Sequence, residues 1–121
     1  MKEEDYQKML KMLIEATETK KIVWKEESNS KGAYSTFIGG CPVKVWKDYN
    51  FNTDEDSYTL VLANPDGRVF STYSYSEGDA SEYYKQLSRL YLVISDVVYR
   101  ISESEKLILD GLKEMFGGKQ D

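Results

Sequence analysis

Histidine is absent from this chain, and that absence excludes more chemistry than any single residue present points to. Without imidazole there is no Ser-His-Asp or Cys-His relay, no His-ligated metal, and no side chain whose ordinary pKa lies near neutrality. Cysteine is almost missing too: Cys41 stands alone. It has no partner for an intramolecular disulfide, and a lone thiol fits a reducing compartment better than secretion. Long apolar runs are lacking, since stretches such as residues 90–94 fall far short of the roughly 20 residues a helix needs to cross a bilayer. Residues 1–5, Met-Lys-Glu-Glu-Asp, lack the basic start and apolar stretch of a signal peptide. The expectation is a cytoplasmic protein with no membrane partner.

What is present is enough for one core. A chain of 121 residues hides roughly two thirds of its unfolded surface and folds without disulfides or a structural metal. No repeat, low-complexity tract or composition shift divides it, so residues 1–116 read as a single domain and 117–121 as a flexible tail. Sixteen basic against 21 acidic residues leave a net charge of -5, which favours solubility. The basic clusters Lys20/Lys21/Lys25 and Lys44/Lys47 are short and flanked by Glu26, Glu27 and Asp48. They make no stripe for displacing counterions, and no nucleic-acid partner is expected.

Apolar spacing divides the chain into helix, strands and helices. Tyr6, Met9, Leu10, Leu13, Ile14 and Thr17 recur at the spacing of one helical face, which predicts an amphipathic helix over 3–19. Glu3, Glu4 and Asp5 at its start and Lys20 and Lys21 at its end suit the helix dipole. The period then falls to two, predicting strands over 22–26, 33–38, 42–49, 58–63 and 68–75. Gly39-Gly40 permits a tight hairpin, and Asn64-Pro65-Asp66-Gly67 is a strong turn signal. Short connections favour an antiparallel meander, because parallel neighbours need long crossovers. Helical period returns after Gly78, with Asp79 as expected N-cap, Glu82 as its capping partner and a stripe from Tyr83 to Val98. Ser102 and Glu105 are the expected cap of a last helix that turns Ile108, Leu112 and Met115 inward and stops at Gly117-Gly118. The predicted fold class is α+β: an N-terminal helix, a five-stranded antiparallel meander, and a C-terminal helix pair packed on the sheet.

Tyr58, Leu60, Leu62, Val43 and Val45 define the inner face of that sheet, yet the opposite face still carries Trp46, Val61 and Phe70. Either the helices divide between the two faces or a second subunit or partner covers one of them. Ten tyrosines add to this: Tyr73, Tyr75, Tyr83 and Tyr84 cluster around the last strand and the helix after it, and tyrosine suits a recognition surface and the edge of a core alike. The residues expected on an interaction surface are Trp46, Val61, Phe70, Tyr73, Tyr75 and Tyr84. Arg68 and Arg89 are the candidates for an anionic ligand.

Catalytic and metal constellations fail on inspection. Cys41 has no base in its neighbourhood of the sequence, with Lys44 the nearest cation. Residues 50–56 alternate oxygen-bearing side chains as a calcium loop does, but neither starting register supplies both the glycine and the bidentate glutamate. Asp54, Asp56, Asp66, Glu77 and Asp79 fall in expected turns, not across a cleft. No glycine motif has the spacing of a nucleotide loop. No catalytic residue, metal site or cofactor is expected, and the chain reads as a non-enzyme.

The phrases Leu13-Ile14-Glu15-Ala16-Thr17, Lys21-Ile22-Val23-Trp24, Tyr58-Thr59-Leu60, Asp66-Gly67-Arg68-Val69 and Leu87 with Leu90-Tyr91 resemble those of a group of small stand-alone bacterial proteins of unassigned function. The resemblance implies a bacterial or mobile-element origin and the same helix, meander and helix order, and it supplies no active site. The leading functional expectation is a non-catalytic protein-binding or regulatory module, immunity- or defence-related, acting on another protein or on a second copy of itself as a homodimer. The other expectation is a binder of small anionic or nucleotide-like ligands.

Overall fold

The computed structural model describes residues 2–79 and 81–117. Residues 118–121, most of the expected tail, lie outside the described residues. The first helix, α1 (Glu3–Glu18), opens with Glu3, Glu4 and Asp5 in its first turn and buries Tyr6, Leu10, Leu13, Ile14 and Thr17. Five strands follow: β1 (Lys25–Glu27), β2 (Ser30–Ile38), β3 (Cys41–Asn50), β4 (Glu55–Ala63) and β5 (Val69–Ser76). They pair antiparallel in chain order. The turns are those the residues demand: Gly39 and Gly40 both take positive φ, and Gly67, at φ 89°, closes its turn by donating its N–H to the Asn64 carbonyl at 2.8 Å.

The strands are longer than expected in the middle of the sheet and shorter at its first edge. The β3–β4 hairpin turns within 51–54, so Glu55 to Ser57, expected in a loop, pair with Asn50 to Asp48. Ile22 to Trp24 were expected to open the first strand, but Trp24 leaves the ladder to bury its ring against α1, where its indole N–H meets the Thr17 hydroxyl.

Two helices end the described chain, α2 (Glu82–Tyr99) and α3 (Ile101–Met115). Their caps correct the sequence reading. Ser81, not Asp79, caps α2 by accepting the Tyr84 N–H at 3.1 Å, while Asp79 sits in a preceding single turn and accepts the Ser76 N–H. Ser102 is not the cap of α3 but lies inside it; its N–H and hydroxyl both donate to Asp96 at 3.0 and 2.8 Å. Arg100 closes α2 and opens α3 from the left-handed region, φ 53° and ψ 43°. A side chain there costs about 1–2 kcal/mol, and the two-bond Arg100–Glu103 pair and the Asp96 contacts hold the corner against it.

α1 and α2 pack against each other and lie on one face of the sheet. Leu10, Leu60, Leu87, Leu90 and Ile94 are fully enclosed between these layers, each stabilising the fold by about 1.5–3 kcal/mol. Of the C-terminal pair expected on the sheet, only α2 takes that place; α3 turns away and buries none of its residues. The helices do not divide between the two faces, and the second face of the sheet is left without a helix.

Candidate functional site

The tyrosines expected on a recognition surface pack, partly buried, against the edge of the core. β5 pairs with β4 so that Tyr73 stands opposite Leu60 and Tyr75 opposite Tyr58, which puts both on the helix-covered face. Tyr6 of α1 stacks on Tyr73 with centroids 4.2 Å apart, and Tyr75 stacks on Tyr83 of α2 at 5.4 Å. Tyr84 leans on Tyr58 at 5.6 Å. Enclosure pushes the Tyr91 phenol up to about 12. The Tyr83 phenol, donating to the Glu3 carboxylate, also rises to about 12. These rings join helix to sheet, so Tyr73, Tyr75 and Tyr84 are corrected from surface to core boundary.

Trp46 and Val61 do lie on the uncovered face. Trp46 is half-buried, donates its indole N–H to Asp48 at 2.9 Å and sits 5.6 Å beneath the Lys44 ammonium. Its ladder partners Ala33 and Thr59 are 4% and 5% exposed although no helix covers them, so the indole itself is the cover. Around it the face is hydroxylated, with Thr59 and Ser74 sharing a hydrogen bond at 3.1 Å. Phe70 is separated from Trp46 by the irregular register at Leu62/Ala63. It lines instead an apolar hollow of about 530 Å³ beneath α1, with Met9, Met12, Ile38 and Cys41. The expected surface of Trp46, Val61 and Phe70 is therefore not one patch.

Arg68 and Arg89 are likewise parted. Arg68 is exposed at the β4–β5 turn, whereas Arg89 lies on α2 in a groove of about 950 Å³ that runs between the end of α1, α2 and the start of α3. The groove floor is Leu92, Val93 and Val97, and its rim carries Lys20, Lys85, Arg89 and Arg100 against Glu18, Asp96 and Glu103. Arg89 pairs with Glu18 at 3.3 Å and Arg100 with Glu103 at 2.6 Å. Among the described residues Lys20 and Lys85 make no ion pair. Sequence reasoning missed Lys20, Lys85 and Arg100 as neighbours because three different elements bring them together.

Beside the groove stands the feature that spacing alone located but misassigned. Ile101, Ile108, Leu112 and Met115 recur along one face of α3, Leu109 and Phe116 widen it, and Leu107 stands apart on the flank. All seven are exposed, from 43% for Ile101 to 80% for Met115. Ile108, Leu112 and Met115, expected to point inward, have nothing inward to meet. At the areas implied by about 1.5–3 kcal/mol per buried side chain, they offer on the order of 400 Å² of apolar surface. The largest apolar patch of a monomer is commonly of this size and is often functional.

No family model matches this chain, and neither the curated proteins nor the solved structures contain a match. Among the described residues no helix is long and apolar enough to cross a membrane.

Proposed function

We propose that this protein is a non-catalytic protein-binding module that docks through the apolar face of α3. One observation carries the reading: α3 is fully formed, amphipathic, and buries none of its residues within its own chain. A lone helix of 15 residues is marginal in water, since helices shorter than about 12–15 residues draw most of their stability from packing. Gly111 in its middle weakens it further, by about 1 kcal/mol relative to alanine. Such a helix holds its shape by covering its face on something else. The acidic balance of α3, with Glu103, Glu105, Asp110 and Glu114 against Lys106 and Lys113, disfavours a nucleic acid or an anionic bilayer as that cover.

A photoreactive residue placed at position 112 tests the reading. In cells expressing the full chain it is expected to yield a covalent adduct with a protein, while the same group at position 72, on the uncovered sheet face, yields none. Absence of any adduct from position 112 would sink the reading.

A second reading, binding of a small anionic or nucleotide-like molecule, draws support from the gathering of Lys20, Lys85, Arg89 and Arg100 around one groove. It is the weaker one, because both guanidinium groups already face carboxylates. A thermal shift with nucleotides that disappears in Arg89→Ala would favour it.

A further inference from the structure

We infer that the partner of α3 is a second copy of this chain, with each α3 lying in the groove along the other copy's α2. The inference rests on the reading of α3 as a docking helix and names what it docks to.

Charge complementarity singles out the occupant. Glu105 interrupts the apolar face of α3: it lies four residues after Ile101, three before Ile108 and seven before Leu112, so it shares their side of the helix. It is exposed and forms no ion pair among the described residues. Covering that face buries a carboxylate, which is tolerated only opposite a cation. The groove beside α3 supplies the match: apolar lining from Leu92, Val93 and Val97, and a rim where Lys20, near Glu103, and Lys85 stand outside the ion pairs of Arg89 and Arg100. One chain thus carries both an apolar helix face with a single embedded negative charge and a partly apolar trough whose rim holds two lysines outside any ion pair among the described residues.

The area points the same way. A stable complex buries about 800 Å² on each partner, roughly twice what the apolar face of α3 offers. One-way docking of α3 into another protein leaves the groove unused. Reciprocal exchange engages helix and groove on both copies at once, as a two-fold interface requires. Within one chain the start of α3 already lines the trough through Ser102 and Glu103, yet the apolar side chains from Ile101 to Met115 stay exposed and do not fill it.

Sedimentation equilibrium on the full chain tests this. The wild type is expected to be a dimer at about 100 µM. Glu105→Lys, and separately Lys20→Glu with Lys85→Glu, are each expected to weaken the dimer roughly tenfold or more. Combining all three reversals is expected to restore most of the affinity, which a merely damaged fold would not do, and an unchanged circular dichroism spectrum identifies folded variants. A wild-type monomer at that concentration, or a combined variant no tighter than its parents, overturns the proposal. If the wild type is monomeric and position 112 still crosslinks to a different protein, the second copy is ruled out while the docking role of α3 stands; if no adduct forms either, both fall.

Discussion

The indole N–H of Trp24 donates to the hydroxyl of Thr17 at 3.0 Å, with both residues buried. The Thr17 hydroxyl in turn donates a hydrogen bond to the Leu13 carbonyl at 2.7 Å. A loop residue is thereby tied into the last turns of α1, and the segment from α1 to β1 gains a fixed path.

Thr17→Val keeps the shape of the side chain and removes the acceptor. The Trp24 N–H is then buried without a partner, and the chain is expected to lose about 1–3 kcal/mol. Urea unfolding followed by tryptophan fluorescence measures it. Thr17→Ser, which retains the hydroxyl, is expected to lose less.

Tyr6 presents the opposite case. Its ring is 3% exposed and stacked on Tyr73, but its hydroxyl is buried and makes no well-formed hydrogen bond among the described residues, with only the Tyr75 phenol interacting weakly with it. Burial, foremost, pushes that phenol far above its ordinary pKa. Tyr6→Phe is expected to be neutral or to stabilise by up to about 1 kcal/mol, because it removes an unsatisfied group. Tyr6→Ala is expected to cost about 3–5 kcal/mol. Thermal unfolding of the pair separates ring from hydroxyl.

Alkaline pH is expected to unfold the protein. Tyr83 and Tyr91 are held protonated up to about 12 in the fold, while exposed tyrosines in the unfolded chain ionise near 10. Stability from these phenols is complete below about pH 10 and is lost as pH climbs through about 12. On the acid side, Glu26 accepts from Tyr99 and from the Gly32 N–H, which lowers its pKa from 4.5. Its contribution is present above that value and fades as pH falls below it. Denaturant midpoints across pH check both arms, and a flat profile from about pH 9 to 12 would contradict the first.

Trp46→Ala is expected to lower stability by about 1–2 kcal/mol, by uncovering Ala33 and Thr59. It is expected to leave association unchanged, because the uncovered sheet face lies apart from α3. Light scattering beside thermal unfolding distinguishes this outcome from a role for Trp46 in binding.

Most of the sheet was legible because its signals are local. Alternation from Val43 to Val45 and from Tyr58 to Leu62 names the buried face without knowledge of what covers it, and Gly67 demands its turn by its own backbone. Phe70 escaped because the ladder skips it: Val69 pairs with Ala63 and Ser71 with Leu62, so the irregular step breaks the alternation at Phe70 itself. The cap of α2 escaped because Asp79 and Ser81 are both competent caps and only the bend before the helix chooses between them. The face of α3 was legible as apolar but not as open: spacing reports which side of a helix seeks cover, and never whether the same chain provides it. The groove was illegible because its lysines, arginines and valines come from three elements whose packing no local pattern encodes.

The stacking of Tyr6 on Tyr73 has a consequence for synthesis. α1 is made well before the surface that receives it, β5 and α2. Until then Leu10, Leu13 and Ile14 travel unhoused, so the newborn chain must either shelter them with a chaperone or hold α1 as a wandering helix that locks down when the meander behind it closes.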